Sequence, residues 1–210
     1  MKRRELLSML GLGAMSLPLL SHQALALAGD DDLAQPKRPP QKPVVKKQAG
    51  AARDVVKYKG RQVVPYKTAE KPGTIIISTK ERALYQVMPG GQAMRYAVAV
   101  GKEGFSWSGT ARVAMKRENP KWTPPPEMIA RTPKYAKWAN GMPGGIPENP
   151  LGPRAMYLFD PKGDTGYRIH GTNAPSSIGT AASSGCIRML NAEVTELYDV
   201  TPVGTKVIVQ

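Results

Sequence analysis

YRIHGTNAPSSIGTAASSGCIRML, Tyr167 to Leu190, holds the only cysteine of the chain, Cys186, and one of its two histidines, His170. A lone cysteine is by default a small, inert apolar residue. The neighbours of Cys186 argue for more than that. Ser183-Ser184-Gly185 precede it and Ile187-Arg188 follow it, and a glycine directly before a nucleophile lets the chain turn sharply and bring backbone amides toward a reacting carbonyl. A free thiol titrates near ~8.5, so little of it is thiolate at neutral pH, and a base or cationic neighbour is needed to raise that fraction. His170, at the end of the strand-like runs Ala155 to Asp160 and Tyr167 to Ile169, is a side chain of the right type. Arg188 lies two residues past the thiol and points to the same side if the segment is extended. Its guanidinium can hold a carboxylate through two parallel bonds, which predicts an anionic substrate.

The order His-Gly-Thr-Asn, a loop of small residues, then Ser-x-Gly-Cys-Ile-Arg-Met resembles the L,D-transpeptidase family, the YkuD-like catalytic domain of peptidoglycan cross-linking enzymes. The match covers Gly73 to Gln210. The resemblance implies a mainly β fold, a mixed β-sandwich with short helices and long loops. It also implies that Cys186 attacks the carbonyl of the third residue of a peptidoglycan tetrapeptide stem, releases the terminal D-Ala and is left as a thioester, which an acceptor amine resolves. Carried over by position, His170 is the base and the carbonyl of Gly171 orients its ring. The amides around Gly185 and Cys186 form the oxyanion hole, with Ser183 and Arg188 among the residues that bind substrate. Many members have a histidine directly before the Gly-Cys pair, where this chain has Ser184.

Working outward, the folded part reads mainly as strands. Thr74 to Ser78 is β-branched, and Ala83 to Met88 and Ala93 to Val100 flank Pro89-Gly90-Gly91-Gln92, the composition of a hairpin turn. In the second arm Met94, Tyr96, Val98 and Val100 alternate with Ala93, Arg95, Ala97 and Ala99, which predicts a half-buried antiparallel pair. Thr110 to Met115, Ala155 to Phe159 and Lys206 to Val209 repeat the signal. One helix is expected just after the nucleophile segment, capped by Asn191, with Glu193 and Glu196 at its start and Val194, Leu197 and Tyr198 on one face. Between Gly101 and Pro153 runs a Gly- and Pro-rich excursion; loops of that length in a compact domain usually serve function. Its aromatics Phe105, Trp107, Trp122, Tyr135 and Trp138 can line a cleft over Cys186 or pin the loop to the core. Trp122, followed by Pro124-Pro125-Pro126, is the leading candidate for substrate contact, and Tyr157, on the strand leading toward His170, is a second.

At 210 residues with 41% apolar side chains the chain supports one ordinary core plus extras. Residues 1–28 read as a secretory signal peptide: Lys2, Arg3 and Arg4, an apolar run from Leu6 to Leu20 broken by Gly11, Gly13 and Pro18, then Ala26-Leu27-Ala28 as a cleavage pattern. The run is short for a membrane span, so export to the periplasm or cell wall, with no transmembrane anchor after cleavage, is the expectation. Arg3-Arg4-Glu5-Leu6-Leu7 also fits a twin-arginine signal. His22 lies in this segment and goes with it, leaving His170 as the sole imidazole of the mature chain. Residues 29–72 are rich in Pro, Lys, Gln and Ala and read as a disordered linker. Val55, Val56, Tyr58, Val63, Val64 and Tyr66 could add a strand late in that stretch, so its boundary is soft.

The net charge of +14 would point to nucleic acid in a cytoplasmic protein, but residues 37–71 alone hold 11 Lys and Arg against 2 Asp and Glu. Charge concentrated in one stretch beside an export signal argues against nucleic acid; the stretch reads either as a solubilising tail without a partner or as an attachment to envelope polyanions. A single cysteine makes no internal disulfide and no metal–thiolate cluster. With so few His and Cys ligands a metal hydrolase is not expected, and neither is a cofactor, since the thiol carries the chemistry. Three readings follow: a transpeptidase joining stem peptides or attaching an envelope protein, an L,D-carboxypeptidase handing the same thioester to water, and a non-catalytic wall-binding module.

Overall fold

A computed structural model describes residues 60–102 and 107–210. The signal segment, the linker as far as residue 59 and Phe105 lie outside the described residues. Eleven strands and two α-helices follow one another along the described chain: β1 (Gln62–Pro65), β2 (Ile75–Ser78), β3 (Ala83–Met88), β4 (Gln92–Ala97), β5 (Val100–Gly101), β6 (Gly109–Glu118), α1 (Pro126–Arg131), β7 (Arg154–Asp160), β8 (Gly163–His170), β9 (Ala181–Ser183), β10 (Ile187–Arg188), α2 (Asn191–Val200) and β11 (Lys206–Val209). Nine strands form one mixed sheet in the order β1-β4-β3-β2-β11-β6-β7-β8-β10, and β5 pairs with β9 apart from it. The fold is therefore mainly β, as the sequence led one to expect.

The sheet curls around its main core. Tyr96 of β4, near one end of the strand order, and Ile187 of β10, at the other end, belong to the same apolar cluster as Ile75, Leu84, Val113, Leu158 and Val207. Reciprocal hydrogen bonds of 2.9 Å between the backbones of Ala99 and Arg188 stitch the chain after β4 to β10. Helix α2 packs inside this curl through Val194, Leu197 and Tyr198.

The β3–β4 hairpin forms where its turn composition placed it, with Gly90 and Gly91 both left-handed at φ 76° and 71°. Met94, Tyr96, Val98 and Val100 face the main core as the alternation requires. The expectation of a half-buried pair needs correction, because the other face is covered too. Ile76, Ala83, Tyr85, Val87 and Ala93 form a second cluster with Val64 and Tyr66, and Tyr66 stacks on Tyr85 at 4.5 Å. β1 pairs antiparallel with β4, from Gln62 opposite Arg95 to Pro65 opposite Gln92, so ordered structure starts inside the stretch read as linker. Strands buried on both faces need apolar residues at every position, which is why Ile75-Ile76-Ile77 is continuous and not alternating.

A second correction concerns α2. Asn191 is its first residue, Leu190 occupies the capping position, and no side chain caps the helix. The Asn191 side chain turns away from the helix and accepts the Thr172 N–H at 2.8 Å. Among the described residues no helix is long and apolar enough to cross a membrane.

Candidate active site

Strand β10 runs parallel to β8, with Ile187 opposite Ile169 and Arg188 opposite His170. Paired residues on neighbouring strands share a face, and faces alternate along each strand. Ile169, Ile187 and Met189 face the main core, so His170 and Arg188 face away from it. Burial alternates through the same segment: Ser183, Gly185, Ile187 and Met189 are buried while Ser184, Cys186, Arg188 and Leu190 are half-buried. Cys186 is thus set on the same face as His170 and Arg188. By that register Cys186 lies two residues before Arg188, the partner of His170, so the thiol and the imidazole are diagonal neighbours across the β8–β10 edge.

His170 is 4% exposed and held on every side. Its carbonyl accepts the Met189 N–H at 2.8 Å. Its Nδ1 lies 2.7 Å from the Gly171 carbonyl oxygen, the contact expected of an orienting group. A carbonyl can only accept, so in that contact Nδ1 is the donor, and in the neutral ring the lone pair is then on Nε2.

The turn carrying Cys186 is built by Ser183. Its hydroxyl donates to the Cys186 carbonyl at 2.6 Å and accepts the Gly185 N–H at 3.0 Å. Gly185 has φ +123°, a conformation L side chains rarely adopt, so the sharp turn before the nucleophile depends on glycine. One part of the expected arrangement changes here. The Gly185 amide is engaged by Ser183, so Ser183 acts by shaping the turn, and Gly185 can serve an oxyanion only once that bond is released. The Cys186 Sγ lies 4.0 Å from the carbonyl oxygen of Gly166, a residue of β8 with φ 75°.

Tyr157 belongs to this face, since its register partner on β8 is Arg168. The Arg168 guanidinium lies 4.2 Å from the centre of the Tyr157 ring and grips Asp164 through two bonds of 2.7 Å. Burial raises the Tyr157 phenol pKa; Arg168 and Arg117 oppose the shift, and Asp164 and the charge of Cys186 reinforce it. The phenol therefore stays protonated, a donor within electrostatic reach of the sulfur. Burial lowers the Arg188 pKa, while Cys186 and Tyr135 act to raise it. A guanidinium titrates so high that this leaves Arg188 cationic beside the thiol.

Trp122 is a correction. It is 7% exposed and forms, with Met142 and Leu151, the centre of a small core inside the excursion, joined by Met128, Tyr135, Trp138 and Ile146. Its ring meets Tyr135 edge-on at 5.3 Å, and its backbone pairs with Met142. Trp122 organises the excursion and does not line an open cleft. Trp107 is likewise pinned, stacked on Tyr167 at 5.6 Å against the main core. The excursion does lean over the site. Tyr135 senses Arg188, and Asn173 of the His-Gly-Thr-Asn loop donates to the Glu148 carbonyl at 2.8 Å. Asp164, Gly166, Arg168 and Asn191 escaped sequence reading. Only Asn191 carried a signal, and it was that of a helix cap.

A curled mainly β sheet with a histidine and an arginine paired across two adjacent parallel strands, and a cysteine directly before the second, defines the class of fold. The family model described as the L,D-transpeptidase catalytic domain, YkuD, matches residues 72–209. The chain belongs to that family. It is 38% identical over 135 residues to a Fuscovulum blasticum protein named "Putative L,D-transpeptidase in ATP synthase subunits region ORF 5", a match spanning 63% of this chain and 67% of that one. It is 35% identical over 141 residues to ErfK/SrfK of Escherichia coli, named a probable L,D-transpeptidase, across 63% of this chain but 42% of the other. The chain thus spans well under half the length of that relative. A crystal structure from Brucella melitensis, described as a probable carnitine operon oxidoreductase CaiA, is 50% identical with a TM-score of 0.50, covering 73% of this chain and 94% of that one. That description names a different activity, which belongs to that protein; the match across residues 72–209 assigns the family here.

Proposed function

We propose that the protein is an exported cysteine L,D-transpeptidase that acts on peptidoglycan tetrapeptide stems through a thioester on Cys186. The observation that supports this reading is the register of β10 on β8, with Arg188 opposite His170 and Cys186 directly before the strand. His170 Nε2 takes the proton of Cys186 Sγ as the sulfur attacks the carbonyl carbon of the third stem residue. The negative oxygen of the tetrahedral intermediate is held by backbone amides of the Gly185–Cys186 turn, that of Gly185 once Ser183 releases it. Collapse breaks the C–N bond, His170 passes its proton to the leaving amine, and D-Ala departs. An acceptor amine then attacks the thioester, gives its proton to His170 and restores the thiol. Arg188 holds a stem carboxylate, and Tyr157 donates toward the reacting atoms. The Gly171 carbonyl keeps the imidazole in the Nδ1–H form throughout.

Export through residues 1–28 to the periplasm or cell wall brings the enzyme to its substrate, and the basic residues of 37–71 attract it to anionic envelope polymers. The acceptor is an amine of a second stem or of an envelope protein. Intact-mass analysis after mixing with a tetrapeptide stem, and separately with a carbapenem, tests the reading. The expected result is an adduct on the wild-type chain and none on Cys186→Ala. An adduct that survives in Cys186→Ala overturns it. Product analysis with and without an added amine then separates transfer from hydrolysis of the same thioester.

A further inference from the structure

We propose that Asn191 is a positioning residue for the imidazole of His170, acting through the single peptide group that joins Gly171 to Thr172. The inference rests on the catalytic role given above to His170. The carbonyl of that peptide group receives His170 Nδ1 at 2.7 Å, and its N–H donates to Asn191 Oδ1 at 2.8 Å. A peptide group is planar and rigid, so fixing its N–H fixes the direction of its carbonyl. Asn191 at the start of α2 therefore sets the line along which His170 presents Nδ1, and with it the direction of Nε2.

The packing at this point is tight from three elements. A Cβ on Gly171 would come within 2.3 Å of Asn191 Oδ1 and 3.0 Å of Pro153. A Cβ on Gly152, at the end of the excursion, would meet Asn191 Oδ1 at 2.5 Å and both Gly171 Cα and Thr172 N at 2.9 Å. Two glycines thus leave the space the amide oxygen needs. Thr172 is itself 3% exposed, so an unpartnered N–H there would be costly, and Asn191 satisfies it. Hydrogen bonds from Gly171 N–H to the Arg154 carbonyl and from Met189 N–H to the His170 carbonyl hold the flanking backbone, which leaves the 171–172 peptide as the element Asn191 controls. The helix start gains nothing from this side chain, since no side chain caps α2.

The test compares Asn191→Leu, which keeps the shape and removes the acceptor, with Asn191→Asp, which restores an acceptor oxygen. In the full chain carrying His22→Gln, so that one imidazole is observed, nitrogen NMR reads the tautomer of His170 directly. The wild type is expected to hold the Nδ1–H form, Asn191→Leu to lose its dominance, and Asn191→Asp to regain it. The acylation rate with a tetrapeptide stem falls roughly 10- to 100-fold in Asn191→Leu with KM little changed, and Asn191→Asp recovers most of the loss. If Asn191→Leu does not fold, Asn191→Ala carries the same expectation. An unchanged tautomer in a folded Leu or Ala variant, or a rate loss that Asp does not relieve, overturns the proposal. The NMR arm needs no substrate, so a wild type inert toward the stem would count against the proposed activity and leave the tautomer result to decide this one.

Discussion

The two ends of the sheet are built by different physics. In β1–β4 both faces are packed with apolar residues: Ile75, Ile77, Leu84 and Tyr96 on one face, Ile76, Tyr85, Val87 and Ala93 on the other, joined by an uninterrupted register from Ala83–Ala97 to Met88–Gln92. In β7, β8 and the turn into β10 the ladder is interrupted between Tyr157 and Phe159, and Gly166 and Gly185 take left-handed backbone. There polar bonds add to the core packing of Met156, Leu158 and Ile169: Arg168 to Asp164, Ser183 to the Cys186 carbonyl, His170 Nδ1 to the Gly171 carbonyl. Apolar alternation makes a rigid platform but aims nothing. Directional hydrogen bonds and broken register aim a thiol and an imidazole, at the expense of regularity, and the first region lets the second depart from ideal geometry.

This contrast can be broken or sharpened by substitution. Leu84→Ala, in the apolar region, is expected to lower unfolding free energy by about 2–5 kcal/mol while leaving acylation per folded molecule unchanged; denaturant melts with activity corrected for folded fraction check it. Ser183→Ala, in the polar region, costs less stability, about 1–3 kcal/mol, yet slows acylation because the Cys186 turn loses both its bonds. Equal loss of rate in the two variants would erase the distinction. The smallest effect is on pH. Burial raises the phenol pKa of Tyr96 and Tyr157 above the ordinary 10.0. The unfolded chain releases these protons first, so the stabilisation is full below about pH 10 and is lost as pH rises through the raised folded-state values. Melting temperature should fall as pH rises beyond that point.

How much of this was legible in sequence follows the same division. The hairpin, the β6, β7 and β11 segments and the buried face of α2 could be read, because period-two and period-3.6 patterns are local. Cys186, His170, Gly171 and Arg188 could be placed together because they share one motif. β1 was only half visible: Val63, Val64 and Tyr66 sit in a Lys- and Pro-rich stretch, and what orders them is pairing with β4, some thirty residues away. Trp122 misled for a related reason. Its partners Met142 and Leu151 lie on the far side of the excursion, and a large aromatic between prolines reads as exposed until they are known. Asn191 carries two credible meanings at a helix start, and only the position of Thr172 chooses between them.

The central claim is that the imidazole of His170 acts on the sulfur of Cys186, and the pH dependence of thiol alkylation tests it most directly. With iodoacetamide and no substrate, a coupled pair gives a wild-type rate whose apparent pKa lies well below the ~8.5 of a free thiol, and His170→Gln moves the profile back toward that value. Superimposable profiles for the two proteins, with the fold intact, would contradict the claim.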